Sequence, residues 1–244
     1  MSDFPFDTLI AANGKKYSER WHPSHSIDAY KAAFILNGTY EETEALRKNL
    51  AYSMLYLEYL EKQLAELTLH SVVEKMVIKT YVITATSVIE GIFTNIVKTN
   101  GWWKTSQYES LGTTQANETN FDGQKFVVKT ELLKKVDPYP LQMKLNDLID
   151  ILNRHHKALK VDHLVYPALK RLKDSRNRVH LQKVASTTDH DYSAFTDAIK
   201  KETGGILLQI LSSPMVTNDP SLFSFLNVNL DSVSTETVET DMSE

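Results

Sequence analysis

The 244-residue chain contains no cysteine, and this absence removes several kinds of chemistry. Disulfide bonds, thiol nucleophiles and cysteine-ligated zinc are excluded, and the composition is compatible with a reducing compartment. The first residues, from Met1 to Asp7, have neither the basic nor the apolar region of a secretory signal peptide. We therefore expect the protein to be cytoplasmic.

Long hydrophobic runs are also scarce. The most apolar stretch extends from Met76 to Val97, and the charged residues Lys79 and Glu90 interrupt it. Charges are costly inside a membrane, which argues against a membrane span. This stretch therefore predicts a buried helix in the core and no contact with a membrane.

The chain lacks the glycine-rich loops that hold phosphates and the motifs that present a catalytic serine. His155, His156 and His163 come closest to a metal-binding pattern. Adjacent histidines on a helix point in different directions, however, and no carboxylate pattern completes the ligand set. We expect neither a metal ion nor a cofactor.

Hydrophobic residues spaced three and four apart indicate amphipathic helices along most of the chain. Strand content is minimal, so we predict an all-α fold. The pair Gly204-Gly205 would weaken or break the last helix. The predicted helices are a short one at 27–36 and longer ones at 40–69, 71–99, 141–155, 162–184 and 191–211.

Residues 101–140 differ from the helices around them, because they are polar and rich in turn-forming residues. We interpret them as an irregular insertion between the second and third core helices. Trp102 and Trp103 at its start would either anchor the insertion to the core or stack on nucleic-acid bases. The small elements predicted in the insertion are a helical turn near 103–110, a short extended piece at 125–128 and another helical turn at 130–136.

These patterns divide the chain into three parts. Residues 1–38 form an irregular N-terminal segment, residues 39–213 a helical domain that contains the insertion, and residues 214–244 a C-terminal extension. From about residue 227 the extension carries five acidic residues and no lysine or arginine, so we expect a disordered tail.

Positive charge is concentrated in one segment, although the whole chain has a net charge of −4. Between Arg154 and Lys183 there are nine lysines and arginines and two aspartates, which gives this segment a charge of +7. A local basic stripe on an acidic protein indicates a binding site for a polyanion. The alternative is that the stripe is a solvated basic face of a helix.

The segment Arg176-Asn177-Arg178-Val179-His180 concentrates more chemistry than any other part of the chain. Arg176 and His180 are four residues apart, so on the predicted helix they would share a face. Arginine can hold a phosphate through two hydrogen bonds, and histidine can transfer protons near neutral pH. This pairing suits phosphodiester chemistry. The alternative is a basic helix whose histidine caps or packs against a neighbour.

This motif on a late helix, together with the apolar segment Tyr81–Phe93 that carries Glu90, resembles the HEPN superfamily (higher eukaryotes and prokaryotes nucleotide-binding). The resemblance is greatest to members of prokaryotic conflict systems, and it covers about residues 71–184. It implies a helical bundle that dimerises so that two motif helices meet. Active members are metal-independent ribonucleases in which the RNA 2′-hydroxyl attacks the adjacent phosphate and leaves a cyclic phosphate. Other members are non-catalytic modules that bind RNA or mediate dimerisation.

The resemblance also implies a role for each candidate residue. Arg176 would bind the phosphate and stabilise the transition state, Asn177 would give polar support, and His180 would act as acid and base. Glu90 would orient Arg176. Only three residues separate Arg176 from His180, whereas the family usually has four to six. The predicted RNA-binding residues are Arg171, Lys173, Arg178 and Lys183, and the predicted partners are RNA, a second copy of the chain, and an antitoxin or partner effector.

Overall fold

The computed structural model describes residues 22–179 and 191–226 of the chain. Predictions about His180, Lys183 and the acidic tail fall outside these residues. Short 3₁₀ helices cover Asn177–Val179 and Pro220–Leu226. The α-helices, together called the helical domain, are α1 (Ile27–Ala33), α2 (Tyr40–Glu66), α3 (Ser71–Thr99), α4 (Leu145–Arg154), α5 (His156–Leu159), α6 (Val165–Arg176), α7 (Asp191–Ala194) and α8 (Asp197–Leu211).

The central helix of the domain is α3, and its observed bounds confirm the helix predicted at 71–99. Because it is apolar on most sides, it can bury residues against several neighbours. It packs against α2, α4, α6 and α8, and Tyr81, Ile89 and Phe93 are among its fully buried residues. The helices around α3 therefore share one hydrophobic core.

The ends of α3 are set by local hydrogen bonding and backbone geometry. The side chain of His70 caps its N-terminus by accepting a hydrogen bond from the Val72 amide. At the other end Gly101 has a φ angle of 70°, a left-handed conformation that commonly follows the last turn of a helix. The chain can turn there into the segment that precedes α4.

Among the described residues, α3 is also the one helix that is long and apolar enough to cross a membrane. Half of its most apolar window is buried inside the domain, where Ile89 and Ile92 belong to the hydrophobic core. Length and composition alone are weak evidence for a membrane span, because the core helix of a soluble protein has the same properties.

The core also includes residues on both sides of the predicted domain 39–213. Tyr30 in α1 lies beside Phe223 in the second 3₁₀ helix, with their ring centroids 5.7 Å apart, and both side chains are buried. The Tyr30 hydroxyl donates a hydrogen bond to the carboxylate of Glu58 in α2 at 3.1 Å. Burial of these aromatic rings ties both ends of the described chain to the helical domain.

The helix predicted at 191–211 is divided into α7 and α8. The Thr196 side chain accepts a hydrogen bond from the Ile199 amide and so caps the N-terminus of α8. Gly204 and Gly205 lie inside α8 and do not break it. The division therefore arises from a capping threonine, and the glycine pair predicted to interrupt the helix has no such effect.

Residues 105–140 form a long β-hairpin, called here the hairpin arm, which leaves the domain after α3 and returns before α4. The tip turn contains Asp122 and Gly123, whose φ angles of 51° and 73° are both positive, as a type I′ hairpin turn requires. The first strand pairs antiparallel with the fourth, and the second with the third. The strands are β1 (Thr105–Gln115), β2 (Thr119–Phe121), β3 (Gln124–Phe126) and β4 (Lys129–Pro140).

The prediction of an all-α fold is therefore wrong, and so are the helical turns predicted at 103–110 and 130–136. A half-buried strand normally alternates apolar and polar residues, but two irregularities hide such a pattern in β1. Its register with β4 shifts after Ser106 and again after Ser110. Neither strand contains a buried residue, so no side of the arm has to be apolar.

Candidate functional site

Arg176 lies at the C-terminal end of α6, where it contacts Glu90 of α3. Its Nη2 atom donates a hydrogen bond to Glu90 Oε2 at 3.3 Å. The two side chains are 35% and 31% exposed, so a ligand can reach the pair. Although 86 positions separate the two residues in the sequence, the fold brings them together, as an orienting role for Glu90 would require.

The position of Arg176 follows from the packing of α6. Leu169 and Leu172 precede Arg176 by seven and four residues, and both are buried in the core. This spacing places Arg176 on the same side of the helix as the two leucines. Because α6 packs against α3, the arginine side chain can meet Glu90 at the edge of the core.

The α-helix predicted at 162–184 ends earlier than expected. It stops at Arg176 and continues as the 3₁₀ helix Asn177–Val179, since tighter turns are common at the ends of α-helices. Asn177 is partly buried there. The prediction that Arg176 and His180 share a face assumed one continuous α-helix. The α-helix ends at Arg176, so this assumption does not hold. His180 itself lies outside the described residues.

The predicted RNA-binding cations of α6 have partners inside the protein. Arg171 forms an ion pair with Glu202 of α8. Lys173 donates a hydrogen bond to the Asn146 side chain of α4 at 3.2 Å, and its ammonium lies 3.3 Å from the Asp174 carboxylate. These cations link α6 to α8 and α4, so a polyanion would compete with protein groups for them.

The two remaining predicted RNA-binding residues are Arg178 and Lys183. Arg178 is partly buried in the 3₁₀ helix that follows α6, two positions after Arg176. Lys183 lies outside the described residues. Of the predicted site residues, the structure therefore brings Glu90, Arg176 and Asn177 to the end of α6, with Arg178 in the same turn.

A second basic surface lies around the connection between α4 and α6, at the start of the basic stripe that the charge distribution predicts to bind a polyanion. Arg154, Lys157 and Lys160 are exposed, and within the described ranges no acid forms an ion pair with them. Arg154 and Lys157 line an open depression of about 530 Å³ together with His155. The available signal was the acid-free run Arg-His-His-Lys that begins at the last residue of α4.

Trp102 and Trp103 lie at the base of the hairpin arm. His155 stacks on Trp102 with ring centroids 4.0 Å apart and planes within 7° of parallel. The Trp103 Nε1 atom donates a hydrogen bond to the Leu141 carbonyl at 3.0 Å, and the Lys98 ammonium lies 5.3 Å from the Trp103 ring centroid. Both tryptophans pack against the core, so they anchor the arm, which is one of the two roles expected of them.

The histidines of the α4–α6 connection are engaged with other rings. His156 and His163 lie edge to face with centroids 5.6 Å apart, while His155 stacks on Trp102. Within residues 22–179 and 191–226, no three histidine, aspartate or glutamate side chains are grouped so that they could hold a metal ion.

Tyr81 and Tyr166 are among the core tyrosines whose pKa values are raised. Burial raises the pKa of the Tyr166 hydroxyl to about 12. Burial, together with the nearby Glu61 carboxylate, raises the pKa of Tyr81 well above its usual value. Both hydroxyl oxygens are enclosed by the protein, so these shifts reflect packing and do not mark a catalytic group.

No protein family model matches the chain, and no curated protein or solved structure matches it significantly. The resemblance to the HEPN superfamily therefore rests on the motif around Arg176 and on the helix that carries Glu90. Membership of that superfamily stays a prediction, and the function has to be argued from the geometry of the site.

Proposed function

We propose that the chain is a cytoplasmic, metal-independent endoribonuclease of the HEPN type that acts in microbial defence or in a toxin–antitoxin pair. The observation that carries this proposal is the partly exposed contact between Arg176 and Glu90. An arginine held by a carboxylate is fixed in position before its substrate arrives, and such preorganisation favours catalysis. Asn177 and His180 supply the other groups that phosphodiester cleavage needs.

In this proposal Arg176 binds the phosphate that is cleaved. A guanidinium group has five N–H donors, and the contact with Glu90 uses only the Nη2 amino group. The remaining donors can bind phosphate oxygens and stabilise the negative charge that develops during attack. Asn177 adds a polar group beside the phosphate.

His180 transfers the protons of the reaction. As a base it accepts the proton of the RNA 2′-hydroxyl, whose oxygen then forms a bond to phosphorus. The bond between phosphorus and the 5′-oxygen breaks, and an acid donates a proton to that oxygen. The products are a 2′,3′-cyclic phosphate and a 5′-hydroxyl end. Neither proton transfer requires a metal ion.

A base and an acid acting together require two groups, because one His180 cannot hold both protonation states at once. We therefore propose a two-fold dimer in which the motif of each protomer faces that of its partner. Repulsion between the arginines of the two motifs would favour an anion between them. Light scattering at micromolar concentration tests this arrangement: a dimer is expected, and a monomer would contradict it.

Incubation of the purified protein with a varied RNA pool in EDTA tests the activity. The wild type should cleave RNA and leave cyclic phosphate ends, whereas folded His180→Ala and Arg176→Gln variants should not. Lys201→Gln removes an exposed lysine of α8 and should keep full activity as the matched control. Intact RNA after incubation with the wild type would contradict the proposal.

The second candidate function is a non-catalytic module that binds RNA or joins an antitoxin or another effector. The internal pairing of Arg171 and Lys173 favours the form that joins a protein partner, because cations engaged by neighbouring helices are less available to RNA. In the cleavage assay, either form of this candidate would leave RNA intact.

A further inference from the structure

The positively charged side chains of the connection between α4 and α6 lack the acidic partners that those of α6 have. On α6, Lys170 pairs with Asp150 of α4 and Arg171 pairs with an acid of α8. At the end of α4 and on the connection, Arg154 and Lys157 are exposed and have no acidic partner within the part of the chain that the structure describes; Arg154 Nε donates one hydrogen bond, to the Asp150 carbonyl at 3.2 Å. Unpaired cations close together create a local positive potential that attracts anions.

We propose that the connection binds single-stranded RNA at a second site, apart from Arg176. The connection site consists of residues 154–160 together with Trp102. This inference rests on the proposed action on RNA and adds a contact that holds the strand away from the point of cleavage. The depression lined by Arg154, His155 and Lys157 is open to solvent, so an extended strand can lie across it.

His155 gives the connection site a flat surface for a base. One face of its ring lies against Trp102, 4.0 Å away and nearly parallel, and the residue is exposed. Because Trp102 fixes the orientation of the imidazole ring, a base that stacks on His155 meets a preformed surface. Stacking on a side chain requires a base that is free of its neighbours, which favours a single strand over a duplex.

The backbone at Lys160 supports a role in binding. Lys160 ends α5 with a φ angle of 53°, a left-handed conformation in which glycine is more favourable than lysine. Glycine would therefore serve the fold better at this position. Lysine instead contributes a third exposed positive charge, close in the sequence to Arg154 and Lys157. Binding of a phosphate would explain why lysine occupies this position.

The connection site and Arg176 can contact one RNA strand. Trp102 follows the end of α3, whereas Glu90, which contacts Arg176, lies nine residues before Thr99. At 1.5 Å per residue, these nine residues span about 14 Å along α3. α4 and α6 pack on α3 and on each other, and the proposal runs the strand along this pair of helices from one site to the other.

Binding of a fluorescent 2′-O-methyl RNA oligonucleotide of mixed sequence tests the connection site. The methyl group prevents attack by the 2′-oxygen, so the measurement is independent of cleavage. Arg154→Gln combined with Lys157→Gln should raise Kd roughly 50-fold at about 50 mM salt, because each phosphate contact to a single strand contributes about 0.7 to the salt slope. Lys201→Gln on α8 should leave Kd unchanged.

Two further variants distinguish the contributions of base stacking and of positive charge to RNA affinity, and check that a loss of affinity is not a loss of folding. His155→Ala should raise Kd about tenfold through lost stacking, with an unchanged salt slope. Lys160→Gly should raise Kd about fivefold, while Tm stays the same or rises because glycine suits the left-handed backbone. An unchanged Kd in the double variant, an equal loss in Lys201→Gln, or no binding by the wild type would overturn the proposal.

The outcomes also distinguish this inference from the proposed ribonuclease. Binding that depends on Arg154 and Lys157 in a protein that leaves RNA intact would support the connection site and contradict the ribonuclease. Cleavage that depends on His180, with binding unaffected by the connection variants, would support the ribonuclease and overturn the connection site.

Discussion

The helical domain and the hairpin arm are stabilised in different ways. In the domain, α3 alone contributes eleven buried residues to the packing of the helices around it. In the arm, β1 and β4 bury none, and apolar side chains such as Phe121 and Leu132 are 73% and 64% exposed. The domain is held by its core. The arm is held by its backbone ladder and by its base, since a two-stranded hairpin alone is only marginally stable.

The largest expected effect is on RNA cleavage and arises in the domain. Removal of a general acid or base typically costs about 10²–10⁴-fold in rate, so His180→Ala should lower kcat by that amount. Leu132→Ser in the arm should leave kcat unchanged, because Leu132 is an exposed residue of a strand that buries nothing against the helices of the motif. Steady-state kinetics on one RNA substrate give kcat for both variants. An equal loss of kcat in Leu132→Ser would contradict the assignment of catalysis to the helical domain.

The next largest expected effect is a difference in the free energy of unfolding between matched substitutions in the domain and in the arm. Leu152 of α4 is fully buried, so Leu152→Ala should lower the free energy of unfolding by about 2–5 kcal/mol through lost contacts and a cavity. The same substitution at Leu132 in the arm should change it by less than about 0.5 kcal/mol. Urea denaturation of both variants provides the comparison, and similar losses would show that the arm is packed in solution.

The sequence predicted the domain better than the arm because burial leaves a pattern. The apolar run in α3 required a helix buried on most sides, and its bounds were confirmed. The arm carries no such pattern, since it has no buried face and its register shifts twice. One local signal was present: Asp122-Gly123 is a typical hairpin turn pair, and both residues have the positive φ angles that this turn needs.

The candidate site was predictable only in part. The approach of Glu90 to Arg176 was expected from a resemblance and is found in the structure. The contact between Arg171 and Glu202 joins residues 31 positions apart, and no sequence pattern indicates which acid will meet which cation. Charge counting alone therefore could not separate the paired cations of α6 from the unpaired ones at Arg154 and Lys157.

Two neighbouring glycines of α8 test whether local packing alone decides how a substitution changes stability, with a smaller expected effect. A Cβ atom at Gly204 would lie 2.9 Å from the Tyr81 hydroxyl oxygen and 3.3 Å from the Leu226 carbonyl oxygen, so Gly204→Ala should destabilise the protein by about 1–3 kcal/mol. A Cβ at Gly205 meets nothing within 4 Å, and Gly205→Ala should stabilise α8 by up to about 1 kcal/mol. Thermal unfolding should show a lower Tm for Gly204→Ala and a higher Tm for Gly205→Ala. The same change of Tm in both variants would contradict the close packing of Gly204 against Tyr81 and Leu226.

The junction of the two regions should respond weakly to acid. Lys104 before β1 pairs with Asp147 of α4 at 2.6 Å, and this contact, with the Lys144 amide, lowers the pKa of Asp147. A carboxylate with a lowered pKa stabilises the fold above its unfolded pKa, and the contribution is lost as pH falls through the folded value. The stability difference between wild type and Asp147→Asn should therefore shrink below about pH 4. A constant difference would contradict this role.

Excision of the arm has the smallest expected effect and tests the comparison most directly. Thr105 and Pro140 are paired at the base, so Gly-Gly, a two-residue hairpin loop, can replace residues 106–139 while the hydrogen bond from Trp103 to Leu141 is kept. Because the strands bury no residue, the free energy of unfolding should change by less than about 1 kcal/mol and Tm by less than about 4 °C. Cleavage of RNA should persist. A fall in Tm of about 10 °C or more would mean that the arm packs on the domain in solution, and the two regions would then share one core.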